Sequence, residues 1–315
     1  MKIVVTGALG HIGSRLIREL PGWFGGSQIV LIDDMSAQRY CSLFNLPNGN
    51  YRFLEGDVIK MDLESIFKGV DFVFHLAAIT NAAASFEIAA ELERVNFSAT
   101  SRVAEACLKS GASLIYLSTT SVYGTQAEVV DENCALSDLK PQSPYAETKL
   151  KEERLLQELG SRCLRFIICR FGTIFGVSPG MRFHTAVNKF CWQAVLGQPL
   201  TVWRTALHQK RPYLDLNDAM AVFKLITARK IFDGRIYNVL TANLTVNDIV
   251  EALKEHIPDV NIKLVDQKIM NQLSYEILDA RFRAHGFKPQ GSLRQGVADT
   301  VKLLKGSRLA AEALP

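Results

Sequence analysis

The chain opens with an unbroken apolar run, Lys2–Thr6, that ends in glycines. The same kind of run recurs at Ile29–Ile32, Tyr51–Leu54, Asp71–Leu76 and Leu114–Ser118. None of them alternates apolar with polar positions. A strand that is apolar throughout has both faces covered, which marks an inner strand of a parallel sheet. Between the runs, Ile12–Leu20, Leu63–Phe67, Glu91–Lys109 and Tyr145–Leu159 carry helical spacing. Leu164–Cys169 and Arg235–Val239 add two more strands. Right-handed crossovers between such units give an α/β fold built on a doubly wound parallel sheet.

The pattern loosens after about Gly176, where SPGMRFH and the loop WRTALHQKRP read as irregular. Arg211–Ala228 reads as a strand followed by a helix, Thr245–His256 as a helix opened by Thr245, and Gly306–Pro315 as a frayed tail. The expected division is a Rossmann-like domain over 1–175, to which 211–240 returns. A smaller α/β substrate-binding region takes 176–210 and 241–315.

Composition changes this picture little. Of 315 residues, 48% are hydrophobic and 22% charged, as in an ordinary globular protein. A net charge of +4 without a basic run gives no footprint for nucleic acid. Six scattered cysteines show neither CxxC nor zinc spacing, so no metal is expected and reduced thiols are. With no signal-peptide layout and no membrane-length apolar run, the expectation is a soluble cytoplasmic protein without membrane contact.

The chemistry starts at Gly7, Gly10 and Gly13, directly after the first strand and directly before a helix. Such glycines allow a tight turn, close approach of backbone to a pyrophosphate and close helix–strand packing. The helix N-terminus then offers free N–H groups to phosphate. Asp33 ends the second strand, 20 residues after Gly13. A carboxylate there accepts from the adenine ribose hydroxyls and repels a 2′-phosphate, which favours NAD over NADP. Its alternative is a cap on a turn. Asp57 is placed at the adenine edge, and Arg39 is read as a solvated loop residue.

Tyr145 and Lys149 stand four apart on a helix that Pro144 opens, so phenol and ammonium share a face. A nearby cation favours phenolate, and such a tyrosine can take a proton from a sugar hydroxyl as hydride leaves carbon. A hydroxyl at Ser118 or Thr119, on a strand end, can orient the same oxygen. Alone, a Tyr and Lys at this spacing usually mark a surface helix face. The dinucleotide motif upstream is what favours chemistry.

Taken together, TGALGHIG, LIDD, GDV, HLAA, VNFSAT, LSTTSVYG, YAETK, CRFGTIFG and RPYLDLNDA resemble the extended short-chain dehydrogenase/reductase family, in its nucleotide-sugar epimerase and dehydratase branch. The resemblance covers about residues 1–303. It implies Thr119, Tyr145 and Lys149 as catalytic residues. It implies His11, Ile12, Asp34, Val58, Leu76, Ala77, Ala78, Asn96 and Ser118 beside the glycines, Asp33 and Asp57 around NAD. It implies Arg211 on the nucleotide diphosphate, and Thr80, Thr120, Ser121, Thr173 and Asn188 near the sugar, with His184 a further contact. Helices Glu91–Lys109 and Tyr145–Leu159 resemble a pair that forms a four-helix homodimer interface.

Departures from the family pattern bear on the reaction. Dehydratases of the branch carry Asp-Glu after the catalytic threonine, and decarboxylases a Glu at the second place; here Thr120 and Ser121 stand there. The pattern is similar to that of 4-epimerases. Thr173 replaces the asparagine common in uridine-sugar epimerases, and the 204–210 loop lacks the usual glycine turn. The expected activity is therefore an NAD-dependent nucleotide-sugar 4-epimerase working through a 4-keto sugar. A 4-dehydrogenase or 4-ketoreductase is the alternative, ahead of a 4,6-dehydratase or decarboxylase. A non-catalytic NAD-binding or RNA-associated protein is the reading from another class, and the intact Tyr145 and Lys149 speak against it.

Overall fold

The computed structural model describes residues 1–80, 84–124, 128–266 and 275–307. In chain order the first half gives β1 (Lys2–Thr6), α1 (His11–Trp23), β2 (Gln28–Asp33), β3 (Asn50–Glu55), α2 (Leu63–Phe67), β4 (Phe72–His75), α3 (Ala89–Ser110), β5 (Ser113–Thr119), β6 (Val129–Val130) and α4 (Pro144–Gly160). The second half gives β7 (Phe166–Phe171), β8 (Thr173–Phe175), α5 (Ala186–Val195), β9 (Leu200–Trp203), β10 (Arg211–Asp215), α6 (Leu216–Arg229), β11 (Ile236–Val239) and β12 (Ala242–Leu244). It closes with α7 (Val246–Lys254), β13 (Ile262–Val265), β14 (Glu276–Ile277), α8 (Ala280–Ala284) and α9 (Leu293–Leu304).

Seven strands form one parallel sheet in the order β11-β7-β5-β4-β1-β2-β3. The unalternating apolar runs have their cause here. Ile3, Val5, Ile29 and Leu31 face one core, shared with Leu16, Ile17 and Leu20 of α1 and Val222, Phe223 and Ile226 of α6. Val4, Val30 and Ile32 face the other, shared with Phe67 of α2, Val103 and Cys107 of α3 and Leu156 of α4. Both faces of the inner strands are buried, so their middle positions are apolar, whereas the edge strand β3 alternates and leaves Arg52 exposed.

After Gly176 the stretch 178–184 is irregular as read, but a helix and a strand follow it that the sequence reading did not place. Residues 186–195 form α5, which buries Val187, Phe190, Cys191, Ala194 and Val195. These side chains share a separate core with Ile249 and Leu253 of α7, Val297 and Val301 of α9, and Leu200 and Val202 of β9. The strands of this region are short and pair at long range, β9 with β13 and β10 with both β8 and β12. Local pattern carries little trace of such pairings. Thr245 does open α7, through a capping box with Asp248. From residue 308 the expected frayed tail lies outside the described residues. No described helix is long and apolar enough to cross a membrane, and no described cluster of His, Cys, Asp or Glu is built to hold a metal.

Candidate active site

A cleft opens beyond the carboxyl ends of β1, β4 and β5. Strand order reverses at β1, which lies between β2 and β4, and crevices in doubly wound sheets form at such a point. Gly7 turns the chain at φ +64°, and a Cβ there would lie 2.6 Å from Ala77 N. The loop therefore presses on the segment that leaves β4. A Cβ on Gly13 would meet Gly7 O at 2.4 Å. Gly10 begins α1 without any side-chain cap, and the first turn holds no acid. The first-turn amides are thus left for an anion. Arg39 Nη1 comes within 3.9 Å of where a Gly10 Cβ would sit, and Arg39 lines both hollows of the cleft. Arg39 is thus half-buried and forms part of the cleft wall beside the glycine loop. This bare, cationic, glycine-lined cradle fits a dinucleotide.

One hollow is bordered by Asp33, Asp34, Asp57, Val58, Ala77 and Asn96. Asp33 accepts from Leu9 N at 3.0 Å and Met35 N at 3.1 Å, so the carboxylate is held at the loop. Burial raises its pKa and the two amides oppose that. Asp33 thus does cap the turn, and its second lone pairs remain for a ribose. Asp34 accepts from Ser36 and Asp57 from Ile59 N. Asn96, buried in α3, accepts from Ile79 N at 2.8 Å and donates to Ile79 O at 2.9 Å. That pair fixes the strand exit at Leu76–Thr80.

The other hollow shares Gly7, Gly10, Leu76, Ala78 and Thr80 and continues past His11, Ile12 and Gly13 to Thr119, Thr120, Ser121, Tyr145, Lys149 and Thr173. His11 Nε2 donates to Gly176 O at 2.8 Å, joining the glycine loop to the end of β8, and burial lowers its pKa to about 4. Ser143 caps α4 by accepting from Ala146 N, and Pro144 fills the first position. Tyr145 is thereby set in the first turn, with Lys149 one turn further along the same face.

The two candidate hydroxyls of β5 differ. Ser118 donates to buried Glu153, which also forms a two-pronged ion pair with Arg170. Thr119 only accepts, from Ser121 N at 3.2 Å, and keeps its proton for the cleft. Thr119 is thus the hydroxyl available to a substrate.

Lys149 sits in a buried network that sequence reading missed. Its Nζ donates to Tyr116 Oη at 3.1 Å and lies 3.2 Å from Glu152 Oε2. Glu152 also accepts from Tyr116 and from Thr100 Oγ1. Thr100 pairs with His75 Nε2, and His75 Nδ1 with Thr6 Oγ1, which accepts from Leu76 N and Ala77 N. Because Thr100 gives its proton to Glu152, hydrogen-bond logic puts the His75 proton on Nε2. Burial, then Lys149, lowers the His75 pKa to about 3 and keeps the ring neutral. An ammonium has three donors, so one N–H of Lys149 remains for the cleft.

Two expected substrate residues lie apart from these linings. Asn188 is fully buried in α5, accepting from Gly176 N and donating to Arg182 O. It shapes the loop rather than facing the cleft. Arg211 begins β10 with its guanidinium 4.9 Å from the centre of the Tyr275 ring. Two unexpected groups do line the cleft, Arg182 and Thr185, beside His184. No Asp or Glu borders the Tyr145 hollow among the described residues.

Residues 3–239 match the NAD dependent epimerase/dehydratase family. The chain is 30% identical over 321 residues to the Arabidopsis thaliana trifunctional UDP-glucose 4,6-dehydratase/UDP-4-keto-6-deoxy-D-glucose 3,5-epimerase/UDP-4-keto-L-rhamnose-reductase. That alignment covers 95% of this chain and 46% of the plant protein, so the chain spans about half that relative's length. It is 31% identical to an uncharacterized UDP-glucose epimerase of Bacillus subtilis (strain 168), over 96% of this chain and 98% of that protein. The fold is similar to that of the UDP-glucuronic acid 4-epimerase of Bacillus cereus in complex with UDP-glucuronic acid and NAD. The TM-score is 0.85 at 25% identity, over 98% of this chain and 100% of that one.

Proposed function

This chain belongs to the NAD dependent epimerase/dehydratase family, and we propose that within it the chain is a nucleotide-sugar 4-epimerase. The observation that carries the reading is the lining of the Tyr145 hollow: a proton-transfer pair and hydroxyls, with no carboxylic acid among the described residues. Removing water from a sugar calls for a positioned acid and base. Thr120 and Ser121 are not such groups.

When bound in this cradle, NAD would supply the hydride acceptor and donor for C4 of the sugar. The chain's residues do the rest. The first turn of α1 and Arg39 hold the pyrophosphate, and Asp33 the adenine ribose. Tyr145 Oη takes the proton from the 4-hydroxyl and later gives it back. Thr119 Oγ1 donates to the same oxygen. Lys149 directs its free N–H to the region of Tyr145 and the ribose, while Glu152 and Tyr116 fix its position. The 4-keto sugar presents its other face before hydride returns. Residues 1–175 with 211–240 hold the cofactor, and 176–210 with 241–315 the nucleotide sugar. The assembly is a cytoplasmic homodimer through α3 and α4, and a light-scattering mass of one chain contradicts that part.

The test is a panel of nucleotide sugars incubated with the purified protein in deuterated water and followed by NMR. A 4-epimerase inverts C4 without solvent deuterium entering the sugar and without net reduction of added NAD. Loss of water with deuterium uptake, or stoichiometric NADH, overturns the reading.

A further inference from the structure

Three cations border the Tyr145 hollow, and their surroundings differ. Arg39 lies over Gly10, at the glycine loop. Lys149 has Glu152 as its counter-charge. Arg182 has none among the described residues: its one side-chain partner is the neutral hydroxyl of Thr80, and its buried Nε has no partner at all. Tyr145 and Arg39 are the charged or ionisable groups it feels most, and burial pulls its pKa below the ordinary arginine value. The neighbouring His184 is kept neutral, its pKa lowered to about 4 chiefly by burial and then by Arg182. An unpaired, desolvated guanidinium is costly unless something anionic completes it. Asn188 holds the Arg182 carbonyl from beneath, so the loop that carries this arginine is built rather than loose.

We propose that Arg182 is the receptor for a carboxylate on the sugar, so that the substrate class is a nucleoside diphosphate uronic acid. The inference rests on the reading of Tyr145 as the residue that meets the sugar. The α1 N-terminus and Arg39 serve the cofactor pyrophosphate. Arg182 stands instead beside Tyr145, at the sugar end. Hydroxyls of Thr80, Ser121 and Thr173 surround that end and offer donors to a carboxylate. Among the described residues the lining holds no Asp or Glu to repel it. A guanidinium fits a carboxylate with two parallel N–H···O bonds, which a neutral hydroxymethyl group cannot answer.

The test is calorimetric binding to the NAD-loaded protein, comparing glucuronic acid with glucose on uridine diphosphate and, in parallel, on thymidine diphosphate. Wild type, Arg182→Lys and Arg182→Gln are compared, with bound NAD measured in each. Wild type favours the uronic acid by at least about tenfold on the better base. Arg182→Gln lowers that preference by about tenfold to a hundredfold, and Arg182→Lys by less. The proposal is overturned if wild type does not discriminate, or if neither pair binds. It is overturned if Arg182→Gln weakens both sugars equally, which assigns the arginine to the diphosphate. Loss of NAD from both variants assigns it to the cofactor and overturns the proposal too. Discrimination by wild type without any C4 inversion leaves this inference standing and removes the epimerase reading.

Discussion

The ammonium of Lys149 lies 3.2 Å from the carboxylate of Glu152, one turn on in the same helix, and neither side chain is more than 5% exposed. The pair joins the cleft to a line of hydrogen bonds through Thr100, His75 and Thr6 that ends on the backbone of Leu76 and Ala77. Two walls of the cleft, the start of α4 and the exit of β4, are thus held by one polar network. A network of this kind is rigid only when every member is satisfied.

Removing one member should therefore be expensive. Glu152→Gln leaves a buried ammonium without its counter-charge and should cost about 3–5 kcal/mol in urea unfolding. The exposed pair of Lys254 with Glu251 on α7 gives the contrast, with side chains 41% and 57% exposed. Glu251→Gln should cost less than about 1 kcal/mol. Similar losses in the two variants would mean that burial of the first pair has been misjudged.

Gly7 and Gly22 make a second comparison within one short stretch. A Cβ on Gly7 meets the backbone of Leu76 and Ala77 at 2.7 and 2.6 Å, in a left-handed conformation. A Cβ on Gly22, inside α1, meets nothing within 4 Å. Gly7→Ala should lose about 2–5 kcal/mol and purify without NAD. Gly22→Ala should be stabilised by about 0.5–1 kcal/mol. Thermal melts and the absorbance of released cofactor read both.

His75 makes stability depend on pH in a direction that follows from its burial. Its folded pKa is depressed to about 3 from 6.5. The unfolded chain therefore takes up a proton that the folded chain refuses. The stabilisation is complete above the unfolded value and is lost as pH falls from about 6.5 towards 3. By pH 5 the loss from this residue is about 2 kcal/mol. His11, lowered to about 4, acts in the same sense. Urea midpoints at pH 7 and pH 5 should differ less in His75→Gln than in wild type. An equal pH dependence in both would assign the acid sensitivity elsewhere.

What could be read in the sequence was what local pattern encodes. Apolar runs such as Lys2–Thr6 announce inner strands because both sheet faces are covered. Gly7 and Gly13 announce their loop because a Cβ at either would run into backbone atoms, and Gly10 because a Cβ there would crowd Gly7 O at 3.3 Å. Tyr145 and Lys149 share a face by helical geometry alone. Glu152 was within reach of the same argument, three residues past Lys149, but a carboxylate on a helix is usually solvated and gives no sign of burial. Arg182 gave no sign at all. It sits in a short loop whose path depends on Asn188 of α5 and on long-range pairing of short strands. Arg39, set aside as a loop side chain, comes near Gly10 because the chain after β2 folds back on the glycine loop and on α1, where Ser42 donates to Leu9 O and its carbonyl accepts from Arg18.

The central claim is that one hydride leaves C4 and returns to C4, with Tyr145 moving the proton. Tyr145→Phe should lower turnover by about 10²–10⁴-fold while NAD stays bound, because the phenol moves a proton and the cradle lies elsewhere. The most direct measurement uses a nucleotide sugar that carries deuterium at C4, in ordinary water with excess added NAD. The expected result is C4-inverted product that keeps its deuterium, with none in the added NAD. Deuterium found in free NADH, or product that has lost water, would contradict it.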